Sequence, residues 1–171
     1  HTGFMSMDPR TGFVKAWVGG INYNYFKYDH VMVSKRQVGS TFKPFIYTIA
    51  VRDKGYTPCT MIPNVPVSIE MGDGTFWEPK TAGYEELIGE MVSLKEALAK
   101  SLNYVSARLI QQSNPAAVVK LARKMGIKSD LPAVYSLCLG SVELSVFEMV
   151  GAMSTFANNG LYIEPIYLTR L

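Results

Sequence analysis

The sequence is short of charge, of cysteine and of long apolar runs, and each shortage removes a class of function. Asp, Glu, Lys and Arg make up 18% of the 171 residues, and the net charge is only +3. No run of Lys or Arg stands out, so no nucleic-acid partner is implied. Nothing approaches the roughly eighteen consecutive apolar residues of a membrane-spanning helix. The chain opens at His1 and runs through Thr2-Gly3-Phe4 into a strand-like pattern, with no signal-like segment, and reads as a piece of a longer protein. Two cysteines, Cys59 and Cys138, are too few for a disulfide framework and are expected to be buried free thiols. No Cys/His cluster has zinc spacing, and Met71-Gly72-Asp73-Gly74-Thr75 is a turn without the ligand series of a calcium loop, so no metal or cofactor is assigned. Internal repeats, low-complexity segments and linkers are also missing. What is present is 48% hydrophobic residues, including ten tyrosines and eight phenylalanines, enough for one domain with a real core.

Phe4-Met5-Ser6-Met7 and Phe13-Val14-Lys15-Ala16-Trp17-Val18 flank the turn formers of Asp8-Pro9-Arg10-Thr11-Gly12, which predicts a β-hairpin. Residues 21–35 read as a loop. Phe42, Phe45, Ile46, Ile49 and Ala50 then form a helical stripe that Lys54-Gly55 stops. The Pro- and Gly-rich stretch from Thr57 to Tyr84 is a long excursion with short strands such as Val65–Ile69. Ser93-Leu94-Lys95-Glu96 and Ser145-Val146-Phe147-Glu148 are capping boxes. The first opens a helix to about Lys100 that buries Leu94, Ala97 and Leu98, and the second a helix to about Ala157. Between them a helix carries Val105, Leu109 and Ile110, and Asn114-Pro115 caps another over Ala116–Lys124. Leu161 to Leu171 returns to strand-like residues.

The chemistry-bearing stretch is Arg36-Gln37-Val38-Gly39-Ser40-Thr41-Phe42-Lys43-Pro44. Proline is tolerated only among the first helical positions, so Pro44 sets a helix start near Gly39 or Ser40. Ser40 and Lys43 then share one face of the first turn, about 5–6 Å apart at Cβ. The positive end of the helix dipole disfavours an ammonium and favours a developing oxyanion, a setting in which a lysine can activate a serine. Alone, this pattern reads more readily as a cap serine beside a surface lysine. Ser101-Leu102-Asn103, between two helices, adds a hydroxyl able to relay a proton and an amide able to hold a substrate carbonyl.

Ser-x-x-Lys followed about sixty residues later by Ser-x-Asn is the order of the penicillin-recognising serine enzymes. Met7–Gly12 through Trp17-Val18-Gly19-Gly20, Lys35–Phe45, Gly55–Thr60, Leu94–Asn103, Leu139–Ser145 and Thr155–Gly160 resemble, in order and over nearly the whole chain, the transpeptidase domain of class A penicillin-binding proteins. The resemblance implies an α+β fold of the serine β-lactamase/DD-peptidase type, a helical core beside an antiparallel sheet, with residues 1–171 as the N-terminal and helical portion of a single domain. It further implies a D-Ala-D-Ala transpeptidase/carboxypeptidase of cell-wall cross-linking. Ser40 would be the acyl-carrying nucleophile and Lys43 the proton acceptor, with Ser101 as relay and Asn103 as substrate hydrogen-bond partner. Peptidoglycan stem peptides and β-lactams would be its partners, and no cofactor is implied. The parent would be membrane-anchored on the periplasmic face of the bacterial inner membrane, with a glycosyltransferase domain known from the family. Which residue is the general base stays open.

The third family motif, Lys-Thr/Ser-Gly on a strand, is absent, and Lys80-Thr81-Ala82 precedes Ser-x-Asn and cannot replace it. The family places that motif, and the second oxyanion N–H beside that of the nucleophile, on strands beyond the region matching Leu171. A chain truncated there is expected to have impaired activity and an unpaired sheet edge. Two alternatives use the same fold: a serine β-lactamase, and a β-lactam- or peptidoglycan-binding sensor module.

Overall fold

The computed structural model describes residues 2–81 and 83–170. Its strands and helices are β1 (Phe4–Met7), β2 (Val14–Val18), β3 (Lys35–Gln37), α1 (Lys43–Lys54), β4 (Met61–Pro63), β5 (Ile69–Glu70), β6 (Phe76–Trp77), β7 (Met91–Ser93), α2 (Leu94–Ala99), α3 (Asn103–Ser113), α4 (Pro115–Lys124), β8 (Glu143–Ser145) and α5 (Val146–Ala157). This is the expected α+β mixture. Among the described residues, however, the antiparallel pairing takes the form of four two-stranded ladders, not one sheet. The chain divides into two compact units. One comprises the residues up to Gln37, Ala122–Asp130 and the segment from Val142 onward; the other comprises Val38–Leu121 and Leu131–Ser141. No helix among the described residues is long and apolar enough to cross a membrane.

In the first unit, β1 and β2 form the expected hairpin, with Phe4 opposite Val18. The Asp8 carboxylate and carbonyl accept from Arg10 N–H and Gly12 N–H, both at 2.9 Å, closing its turn. The loop read into residues 21–35 gives way to β3, which pairs with β8 and sets Lys35 opposite Ser145. Periodicity could not reveal β3, because Lys35, Arg36 and Gln37 are all exposed. The strand expected over Leu161–Leu171 is not formed among the described residues. Only Ile166 bridges back, donating its N–H to the Gly12 carbonyl at 2.8 Å and accepting from Val14 N–H at 3.0 Å. Pro165 beside it has no N–H to extend the pairing; Leu171 lies outside the described residues.

The Ser145 capping box forms in full. Glu148 does more than cap, because its carboxylate also accepts from Lys128 N–H at 3.0 Å and from the N–H and hydroxyl of Ser129 at 2.7 and 2.8 Å. Burial raises its pKa, but the Ser129 hydroxyl and the N–H groups of Ser129, Ser145 and Lys128 outweigh that and hold it below the ordinary value. The stability it contributes is therefore present above the ordinary carboxylate range and lost as pH falls through the lowered pKa. Glu148→Ala is expected to cost about 2–3 kcal/mol in denaturant unfolding at pH 7, since several donors lose their acceptor at once. A loss under about 0.5 kcal/mol, the range of an unremarkable surface change, would contradict this.

In the second unit, α1 packs on α3. The predicted stripe of Phe42, Phe45, Ile46, Ile49 and Ala50 is fully buried, as are Val105, Leu109 and Ile110. Gly55 ends α1 in the left-handed region at φ 67°. The excursion is built differently from the sequence reading. Of Val65–Ile69 only Ile69 lies in a strand, as the start of β5; β4 pairs with β7 and β5 with β6. The predicted turn lies between β5 and β6, with Met71 N–H donating to the Thr75 carbonyl at 2.9 Å. The first capping box is only half made. Glu96 N–H donates to Ser93 Oγ at 3.2 Å, but the Glu96 carboxylate pairs with Lys100 at 2.9 Å, one turn on. Leu98, expected in the core, is 38% exposed. Cys138 is a buried free thiol as expected, whereas Cys59 is free and exposed.

Candidate active site

The helix bearing the chemistry starts in two stages. Gly39–Phe42 is a 3₁₀ turn, and α1 proper begins at Lys43 with Pro44 in its first turn. Ser40, within the 3₁₀ turn, and Lys43, directly after it, stand at the head of the helix. Ser40 is exposed, whereas Lys43 is 1% exposed. Burial of a lysine is costly unless its donors are used.

They are used in full. Lys43 Nζ donates to the Ser101 carbonyl at 2.5 Å, to Ser101 Oγ at 2.8 Å and to Asn103 Oδ1 at 2.7 Å. The link between α2 and α3 makes this possible. Ser101 adopts a left-handed φ of 55°, which directs both its carbonyl and its hydroxyl at the lysine. That conformation costs about 1–2 kcal/mol for a residue with a side chain. Asn103 opens α3. Its amide is oriented from both ends: Oδ1 accepts from Lys43, and Nδ2 donates to the Lys80 carbonyl at 2.7 Å. Only that assignment satisfies both neighbours.

The sequence reading named Ser40, Lys43, Ser101 and Asn103, and the fold brings the last three into one hydrogen-bonded cluster beside the turn that presents Ser40. It missed the part of Lys80. This residue and Thr81 lie in neither helix nor strand, and Ala82 lies outside the described residues. A backbone carbonyl has no sequence signature, so nothing in the letters could have marked it. Cys138, expected only as a buried free thiol, has its thiol close enough to interact electrostatically with Lys43. Burial pushes that thiol up to about 12, so it is uncharged at neutral pH.

Burial lowers the Lys43 pKa from 10.5 to about 8. Between those values the unfolded chain holds a proton that the folded one has released. On this account stability rises with pH from about 8 towards 10.5, and the penalty of the buried ammonium is complete below 8. The chemical consequence is more specific. The Ser101 carbonyl and Asn103 Oδ1 can only accept, while the Ser101 hydroxyl can also donate. When Nζ loses its proton, the hydroxyl of Ser101 is the one partner of the three that can turn its hydrogen toward the free lone pair. Lys43 and Ser101 therefore form a pair between which a proton can pass.

The family model described as the penicillin-binding protein transpeptidase domain matches residues 2–171. Penicillin-binding protein 1A of Vibrio cholerae is 35% identical over 173 residues, covering 100% of this chain and 21% of that protein. Penicillin-binding protein 1A of Neisseria cinerea is 35% identical over 170 residues, covering 98% of this chain and 21% of that protein. The chain thus spans about a fifth of the length of the curated relatives it matches. Among solved structures, penicillin-binding protein 1A from Haemophilus influenzae superimposes with a TM-score of 0.87 at 30% identity, over 96% of this chain and 24% of the other. Penicillin-binding protein PonA1 from Mycobacterium tuberculosis gives 0.78 at 28% identity, over 95% and 44%.

Proposed function

Because the chain belongs to the penicillin-binding protein transpeptidase family, we propose that it forms the N-terminal and helical portion of one transpeptidase domain, over residues 1–171, and that the complete domain cross-links peptidoglycan by acyl transfer through Ser40. Ser40 Oγ attacks the carbonyl between the two terminal D-alanines of a stem peptide. Its proton goes to neutral Lys43, and from there through Ser101 to the departing amine nitrogen. The new bond is the Ser40 ester; the broken one is the C–N bond to the last D-alanine. An amine of a neighbouring stem then attacks the ester and restores the Ser40 hydroxyl. Water in place of that amine gives the carboxypeptidase reaction. Asn103 Nδ2 spends one hydrogen on the Lys80 carbonyl, and its second is free to hold a donor-peptide carbonyl. The N–H of Ser40, at the head of the helix where no intrahelical acceptor exists, serves the oxyanion. The same serine is the target of β-lactams. The protein works at the outer face of the bacterial inner membrane, where stem peptides lie.

The observation that carries this reading is the Lys43 ammonium, buried and threefold hydrogen-bonded by Ser101 and Asn103 next to an exposed serine. A complete transpeptidase domain carrying this sequence, given a labelled penicillin and then donor and acceptor stem peptides, is expected to hold the label stably and to form cross-links when unlabelled. Rapid labelling followed by release would instead make it a β-lactamase, and stable label without turnover of stem peptides a sensor. Since the neutral amine is the active form, the acylation rate should rise about tenfold per pH unit below the Lys43 pKa of about 8 and level off above it. A stopped-flow profile flat from pH 6 to 9 would rule Lys43 out as the proton acceptor.

A further inference from the structure

The peptide that joins Gly39 to Ser40 lies against a second glycine, Gly140, far along the chain. The 3₁₀ turn Tyr135–Leu139 ends at Gly140, which is buried and adopts φ 67° and ψ 44°. Gly39 N–H donates to the Gly140 carbonyl at 3.1 Å, and Gly39 itself sits at φ 56°. The two glycines are not equivalent. A Cβ on Gly39 would meet nothing within 4 Å, so position 39 needs only the left-handed backbone. A Cβ on Gly140 would lie 2.0 Å from the Gly39 oxygen, 2.5 Å from its nitrogen and 2.6 Å from its carbonyl carbon. All three are backbone atoms, which cannot step aside as the end of a flexible side chain can.

The carbonyl carbon and oxygen of Gly39 share one rigid plane with the N–H of Ser40. Anything that pushes that oxygen tilts that N–H and moves the Cα from which the Ser40 hydroxyl hangs. We propose that Gly140 is a positioning residue: its missing side chain sets the plane of the Gly39–Ser40 peptide and so aims the Ser40 N–H and hydroxyl at the reacting carbonyl. The inference rests on the reading of Ser40 as the acyl-carrying residue. It adds a requirement that the Ser-x-x-Lys spacing does not contain, since the constraint comes from the opposite wall of the turn. A displaced donor weakens stabilisation of the oxyanion that forms during acylation and leaves initial binding of the ligand almost unchanged.

Gly55 supplies a matched control. It has the same φ of 67°, so alanine there suffers the same backbone penalty, yet a Cβ would meet nothing within 4 Å. Gly140→Ala and Gly55→Ala are compared in a complete transpeptidase domain, with the acylation rate constant and the dissociation constant for a penicillin measured separately by stopped flow. The expected result is a 10- to 100-fold lower acylation rate for Gly140→Ala, with affinity held within about twofold. Gly55→Ala should acylate at the wild-type rate. Equal rates in the two variants would overturn the proposal alone, and a wild-type domain that takes no label on Ser40 would overturn the functional reading with it. If alanine at position 140 prevents folding, amide hydrogen exchange on the unaltered protein decides. Gly39 N–H should exchange at least about 100-fold more slowly than an unstructured amide, because Gly140 holds it. Exchange at the unstructured rate would show that Gly140 does not restrain the peptide.

Discussion

With alanine in place of Ser40 in a complete transpeptidase domain, intact-mass spectrometry is expected to show no covalent penicillin adduct, where the unaltered complete domain shows one per molecule. The expectation follows from the state of the neighbouring hydroxyls and thiols. Thr41 is exposed beside Ser40, but its hydroxyl donates to the Val38 carbonyl at 2.6 Å and is turned back onto its own turn. Ser101 holds Lys43 through both its carbonyl and its hydroxyl. Cys138 is buried and its thiol is pushed up to about 12, leaving almost no thiolate at neutral pH. Ser40 is exposed and supports no packing, so alanine there should change stability by less than about 0.5 kcal/mol. Loss of label would therefore report chemistry and not folding. An adduct persisting on Ser40→Ala would remove Ser40 as the nucleophile.

Lys43→Arg and Lys43→Ala are each expected to lower the acylation rate by about 10³-fold, near the middle of what a positioned proton-transfer group contributes. They fail for different reasons. Arginine cannot surrender its proton, and its planar fork does not fit three acceptors arranged around one ammonium. Alanine removes the base and leaves the Ser101 and Asn103 oxygens without their donor. The two separate in pH dependence from the wild type: the rise of rate through about pH 8 should vanish in both. Circular dichroism establishes that each variant is folded before its rate is read. Acylation of folded Lys43→Ala within tenfold of wild type would exclude Lys43 as the principal proton acceptor.

Much of this protein was legible in its letters because the information was local. The α1 stripe buried as its spacing required, Pro44 lay in the first helical turn, and the Ser145 capping box formed around α5. Readings failed where a distant partner decided the outcome. β3 has no alternating pattern, and it is a strand because β8 pairs with it. Glu96 left its predicted box for Lys100, and of the Val65–Ile69 stretch only Ile69 pairs, in β5 with β6, while β4 pairs with β7 beyond the excursion.

The site divides in the same way. Residue types and spacing marked Ser40, Lys43, Ser101 and Asn103 as candidates, since a hydroxyl, an amine and an amide have their chemistry wherever they lie, and the resemblance of the flanking stretches supplied their expected roles. Only the tertiary structure decided that Lys43 is buried with three acceptors around it, that the Lys80 carbonyl orients Asn103, and that Gly140 must lack a side chain. A pKa of about 8, an amide orientation and a backbone contact each depend on atoms brought together from separate parts of the chain, and no spacing along the sequence encodes that approach.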